Sequence, residues 1–477
     1  MANNNGFKSK QKMKFFITRF FVLITMIMGA CQTPSSVNQS STGNVNMVKL
    51  ITLDPGHFHA ALVQKSMYAN VDSTVYVYAP AGPDLQLHLD RINAYNHRPE
   101  KPTTWNEQVY TGTDFFEKML QDKKGNIVVL AGNNQKKTEY IKQCIEAGLN
   151  VLADKPMVID QKSFEVLRNA FATASSKNLL LYDIMTERYE ITNMLQREFS
   201  MLREIFGELE KGNPQNPAVT KESIHYFYKY VSGNILTRPP WFMDVSQEGE
   251  GIVDVTTHLV DLVQWASFPE QPINYKTDVQ LQSARRWSTD MTLSQFNKIT
   301  RLNGFPPYLK KDVVNDTVLK VYSNGEINYQ VKGVHSKVSV TWNYQAPEGA
   351  GDTHNSTMRG TLSNLVIRQA SQDKRPVLYI EPVNAINPVF ENLVLEKLKI
   401  VQQKFPGVSL KKISNGWEVI VPDIYNEGHE AHFARVTEKF LQFLKEGKLP
   451  DWEVQNMITK YYITTSALEL ARARSVN

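Results

Sequence analysis

From Val48 onward, short apolar runs alternate with helix-length segments, and this alternation limits the possible folds more than any other feature. Apolar runs at 48–53, 74–79, 126–131, 150–153 and 179–182 have strand length and β-branched content. Between them, 60–67, 114–121, 138–147 and 161–175 carry helical periodicity, and Gly148 stops the third of these. Strands separated by helices of this length make parallel βαβ units, so a doubly wound parallel sheet is predicted over 48–185. Past Thr186 the pattern changes. Helices are predicted at 190–206, after Asp254, at 427–446 and from about 451, around a strand-rich middle. Runs at 318–322, 327–331 and 338–343 suggest a meander with Asn324-Gly325 as a hairpin turn, and Asn415-Gly416 is a second turn between 410–413 and 417–421. The expected class is α/β: a parallel doubly wound sheet at 48–185, then an α/β domain at 186–477 with a largely antiparallel open sheet.

The first 47 residues read differently. They hold Lys8, Lys10, Lys12, Lys14 and Arg19 and no acid, so they carry the whole net charge of +5 and leave the body neutral. A neutral body argues against nucleic acid as a partner, since phosphate binding needs a standing cationic surface. The basic start, the apolar run 20–27 and Met28-Gly29-Ala30-Cys31 form a signal-peptide pattern too short for a membrane span, and its end resembles a bacterial lipobox. Residues 1–31 are therefore expected to direct export and to place a lipid on Cys31, with 32–47 as a polar tether. The expected location is a periplasm-facing membrane lipoprotein, attached only through that lipid. The other cysteine, Cys144, lies in a predicted helix and reads as a small core residue.

In doubly wound sheets, ligands bind beyond the carboxyl ends of the strands, and the first βα turn meets the phosphates. Here that turn is Asp54-Pro55-Gly56-His57-Phe58-His59. A dinucleotide fingerprint has glycine at positions 54, 56 and 59; only Gly56 matches. Further along come Gly132-Asn133-Asn134, then Ala153-Asp154-Lys155-Pro156, then Gly249-Glu250-Gly251 leading to Asp254-Val255-Thr256-Thr257-His258.

Over about 48–268 this ordered set resembles the Gfo/Idh/MocA oxidoreductases, which carry a Thr-Pro-Asn-like turn, a Glu-Lys-Pro strand exit and a glycine run leading to Asp-x-x-x-His. The departures are Asp54 and His59 for glycines, Lys137 where histidine is common, Asp154 for Glu, and Glu250 within the glycine run. The resemblance implies a Rossmann domain holding tightly bound NAD or NADP in an interdomain cleft, touched by Gly56, His57, Phe58, His59, Asn134, Asp154 and Lys155. It also implies Lys155, Asp254 and His258 as the catalytic set. An imidazole can take a proton from a hydroxyl as hydride leaves the carbon, and an ammonium can steady the oxygen. Asp254 would orient the His258 ring or bind substrate; the plain alternative is a helix cap beside a core histidine.

Glu187 and Arg188 sit where relatives place substrate or cofactor contacts, or form a solvated ion pair. Trp241 could stack on a sugar or be buried. His429-Glu430-Ala431-His432 lacks zinc-helix spacing, so no metal is predicted, and His429 is taken as a cleft residue. The expected partner is a carbohydrate, and relatives suggest self-association through the C-terminal sheet. The expected activity is oxidation or reduction at a sugar or glycoside hydroxyl. The alternatives are redox-assisted glycoside cleavage and a non-catalytic carbohydrate-binding lipoprotein.

Overall fold

The computed structural model describes residues 47–231, 234–348, 351–370 and 375–474. The expected signal and lipidation site Cys31, and the tether apart from Met47, lie outside the described residues. No helix among the described residues is long and apolar enough to cross a membrane.

The first half is a parallel sheet flanked by helices. In chain order it runs β1 (Leu50–Leu53), α1 (His59–Val63), β2 (Thr74–Tyr78), α2 (Pro83–His97), β3 (Asn106–Tyr110), α3 (Phe115–Asp122), β4 (Ile127–Leu130), α4 (Asn134–Glu146), β5 (Asn150–Asp154), α5 (Gln161–Ser176) and β6 (Leu181–Ile184). The sheet order β3-β2-β1-β4-β5-β6 puts the topological switch between β1 and β4, where their carboxyl ends open a crevice. Helix α2 and strand β3 were not foreseen. In α2 only Leu85, His88 and Ile92 are buried, so its apolar stripe is thin. Strand β3 is an edge, and its five residues are all at least partly exposed.

The second half is a ten-stranded sheet. Its path runs Val279–Thr292, Val318–Val331, Val334–Gln345, Val219–Tyr228, Thr353–Arg359, Ser363–Arg368, Val377–Pro382, Gly416–Ile420 and Ser409–Ile413. Every neighbouring pair on this path is antiparallel except Val334–Gln345 with Val219–Tyr228. The hairpin expected at Asn324-Gly325 is not there: both residues lie inside the strand Val318–Val331. Asn324 is held there by its side chain, which donates to Trp287 O and accepts from Trp342 N. The turn falls instead at Lys332-Gly333, whose φ values of 49° and 78° suit a two-residue hairpin. The Asn415-Gly416 region does turn between two paired strands. The helix expected over 190–206 is two pieces, Ile191–Ser200 and Arg203–Phe206.

Two apolar cores lie under the two sheets, and the C-terminal helices join them. Helix His429–Glu446 packs Phe433, Val436, Phe440 and Phe443 into the parallel-sheet core. The last helix, Asp451–Arg474, gives Met457 and Tyr461 to that core and Ile463, Ala467 and Leu468 to the other. Residues 46–477 thus form one compact unit.

Candidate active site

Lys155 follows β5 at the carboxyl edge of the parallel sheet, and its ammonium is ion-paired with Asp254. Both side chains are buried, at 10% and 7% exposure. The loop carrying Asp254 is seated by two glycines. A Cβ on Gly251 would lie 1.8 Å from Ser323 O, and one on Gly325 would lie 2.8 Å from Ile252. Only bare backbone lets the loop rest on the strand Val318–Val331 and aim Asp254 at Lys155. Glu250, the intruder in the glycine run, is buried and paired with Arg286 at 2.6 Å and Arg472 at 3.0 Å. It ties the loop to the sheet and to the last helix.

His258 lies on the helix Thr256–Ser267, one turn beyond Asp254. It is buried, and its Nδ1 has no hydrogen-bond partner. Burial, then the charge of Lys155 and of His429, pushes its imidazole well below the usual value, so it is neutral at neutral pH. Burial alone would also lower the Lys155 ammonium; Asp254, Asp154 and Glu248 outweigh it and hold the group above the ordinary lysine value. Asp254 therefore orients Lys155, where orientation of the His258 ring had been one expectation. A buried neutral base beside a fixed ammonium can take a proton from a hydroxyl while the oxygen is held.

The β1–α1 turn is built differently from a phosphate-gripping turn. The His57 amide N–H donates to Ala131 O at 3.0 Å and the Gly56 N–H to Asp54 O at 2.8 Å. Asp54 adopts φ 48°, and its buried carboxyl, pushed up by that burial, accepts from Tyr140 Oη at 3.3 Å. His59 Nδ1 bonds Asp154 Oδ2 at 2.9 Å, with His57 Nδ1 3.6 Å from the same oxygen. Gly56 is covered: a Cβ there would meet the Trp241 indole at 3.1 Å and the Asp84 carboxylate at 3.2 Å.

Several expected contacts have other jobs. Trp241 is buried over Gly56, its Nε1 donating to Asp84 at 2.8 Å, so it is not a sugar platform. Arg188 is buried and donates to both oxygens of Asp261, at 2.6 and 2.7 Å, and to Glu453 at 2.7 Å. With Lys460 on Asp183 and Asp261 it forms a buried charge cluster that commits three of the Arg188 N–H groups to carboxylates. Asn134 is buried too; its amide donates to Glu248 O at 2.7 Å and its carbonyl accepts from Lys137. Lys137, pushed down to about 8 by burial, also holds Asp154 O at 3.0 Å. His429 and Glu187 do face each other at 3.8 Å, and the His429 ring lies 5.7 Å from that of His59.

Three residues absent from the sequence reading face this side. Asp352 binds His225 Nδ1 at 3.0 Å and Lys229 at 2.5 Å, and its charge acts on Glu187 and His429. They come from sheet strands and a loop with no motif, so only the fold could find them.

Beside Gly56 lies a narrow opening lined by Phe58, Arg91, Arg238 and Phe242 among others. Two guanidiniums and two aromatic rings suit a ligand with phosphates and flat rings. The residues thus fit a nicotinamide cofactor at its reactive end, beside Lys155 and His258. Its phosphates would meet Arg91 and Arg238, not the covered face of Gly56.

The comparisons agree with this architecture. The family described as "Oxidoreductase family, NAD-binding Rossmann fold" matches residues 86–183, and "Putative oxidoreductase C terminal domain" matches 195–472. A solved "putative oxidoreductase" from Parabacteroides merdae is 56% identical, with TM-score 0.88, covering 90% of this chain and 98% of that one. The chain belongs to the Gfo/Idh/MocA oxidoreductase family. Its fold is shared by a levoglucosan dehydrogenase solved with NADH and levoglucosan, at 12% identity and TM-score 0.56, covering 89% of this chain and 97% of that one. It is also shared by a "putative myo-inositol dehydrogenase" from Sinorhizobium meliloti, at 14% identity and TM-score 0.51, covering 90% and 98%. No curated protein matches the chain.

Proposed function

We propose that this protein oxidises a hydroxyl of a sugar or glycoside to the ketone, or reduces the ketone back, with NAD or NADP held in the cleft between the two sheets. The observation that carries the reading is the buried Lys155–Asp254 pair beside the neutral His258. His258 takes the hydroxyl proton. Lys155 steadies the charge that develops on that oxygen, and Asp254 keeps the ammonium aimed. The cofactor, when bound, accepts or returns the hydride. Lys229, His225, Asp352, Glu187 and His429 offer both donors and acceptors to a polyhydroxylated substrate. Glu187, pushed up to about 7 by burial and by Glu190 and Asp352, can donate or accept near neutrality.

The protein is proposed to work as an exported lipoprotein attached through Cys31, with the nicotinamide retained through paired oxidation and reduction. Association through the C-terminal sheet and the split at 185/186 remain part of the same proposal. Oxidation followed by elimination of the glycosidic bond is the finer variant; release of a free aglycone distinguishes it from a keto-glycoside product.

A second reading is favoured by Trp241 and Asp84 lying over Gly56: the cleft binds carbohydrate without any dinucleotide. One experiment separates the two. The native protein is denatured and its small molecules analysed by mass, and the emptied protein is titrated with NAD⁺, NADH, NADP⁺ and NADPH. A co-purifying or saturably bound dinucleotide supports the redox reading. No binding of any of the four overturns it and leaves the second.

A further inference from the structure

The geometry points to a divalent transition-metal site formed by His57, His59 and Asp154, of the class occupied by zinc or cobalt. The two imidazoles come from the β1–α1 turn and the carboxylate from the end of β5. The three potential ligand atoms lie within 4.8 Å of one another. His59 Nδ1 is 2.9 Å and His57 Nδ1 3.6 Å from the same Asp154 oxygen. For tetrahedral zinc with bonds of about 2.0–2.1 Å, ligand atoms stand about 3.3 Å apart, and the two distances bracket that value.

Hydrogen-bond accounting supports the assignment. Asp154 Oδ2 receives His59, whereas His57 Nδ1 is buried with no partner at all. Stranding a buried ring nitrogen is unfavourable, and a metal ion would satisfy it. The two rings meet edge to face with centroids 4.1 Å apart. Two nitrogens and one carboxylate oxygen suit zinc, cobalt or iron(II), and do not suit magnesium, calcium or copper(I).

The charges nearby are mixed. Lys155 and Lys137 oppose a dication, while Asp154 itself and Asp254 offset them. Three protein ligands leave a coordination position for water or a substrate oxygen, next to the Lys155 ammonium. The turn's chemistry fits this use: glycine is replaced by imidazole at His59, and the family's Rossmann match begins only at residue 86, after the turn. The site stands whether or not a dinucleotide occupies the neighbouring cavity.

The test uses the full chain, stripped with a chelator and titrated with Co²⁺ alone. One equivalent should bind, giving the visible ligand-field spectrum of a low-coordinate nitrogen-rich site, and Zn²⁺ should displace it and raise the melting temperature. His57→Ala and His59→Ala should each weaken binding at least tenfold, and Asp154→Asn likewise. His432→Ala, which changes another buried histidine outside the cluster, should bind as the unaltered chain does. The proposal is overturned if the unaltered chain takes up no stoichiometric Co²⁺, a result that needs no variant to fold. It is equally overturned if folded His57→Ala and His59→Ala bind as tightly as the original.

Discussion

Breaking the Lys155–Asp254 pair tests the site without knowing the substrate. Asp254→Asn keeps the shape and removes the charge, leaving an ammonium whose side chain is 10% exposed with a neutral partner. Losing one member of a buried pair costs about 3–5 kcal/mol, and the lower end is expected because Asp154 and Glu248 still act on Lys155. Lys155→Met should cost about the same, since it strands the carboxylate. The double variant should cost about as much as either alone, a coupling of about 3 kcal/mol. The assay is urea unfolding at pH 7, followed by tryptophan fluorescence and circular dichroism with coincident transitions and unchanged slope. Single-variant losses that add to within about 0.5 kcal/mol would refute the pair.

Other expectations follow from the same geometry. His258 has a folded pKa below its unfolded value near 6.5, so the unfolded state binds the proton first and stability falls as pH drops below 6.5. His258→Gln should flatten the melting-temperature profile between pH 6.5 and 4.5 relative to the unaltered chain; identical profiles would contradict a buried neutral ring. Lys460→Met removes the buried cation shared by Asp183 and Asp261, leaving Asp183 only the Tyr461 hydroxyl while Arg188 still holds Asp261, and should cost about 3 kcal/mol in urea unfolding. A loss under 1 kcal/mol would mean the cluster is solvated. Gly251→Ala puts a methyl 1.8 Å from Ser323 O, so the loop must move. Turnover should fall by at least tenfold, more than the melting temperature alone explains, and unchanged turnover would show that the loop does not need its seat.

The legible part of the fold was the part written in local periodicity. Strands β1, β4 and β6 are buried along their whole length and β5 at all but its first residue, so each carries a mostly apolar run. Edge strand β3 and helix α2 show too little apolar surface to be read this way. At Asn324-Gly325 a turn signal was overruled by tertiary contact, because the glycine was needed for the approach of Ile252 and not for a bend. The same limit applied to function. Lys155, Asp254 and His258 could be gathered only because their motifs stand in the order of a family the chain resembles. Arg188 and Trp241 could not be assigned, because an exposed-looking sequence position says nothing of which carboxylate will reach it.

By itself the sequence determined a parallel doubly wound sheet followed by a largely antiparallel one, with a cleft beyond the carboxyl ends of the parallel strands, since these follow from periodicity and connection length. Only the tertiary structure decided which groups meet there. His59 found Asp154 across 95 residues, Asp254 found Lys155 across 99, and Trp241 came to cover Gly56. Such contacts are made by chain closure and desolvation, and neither leaves a local pattern to read.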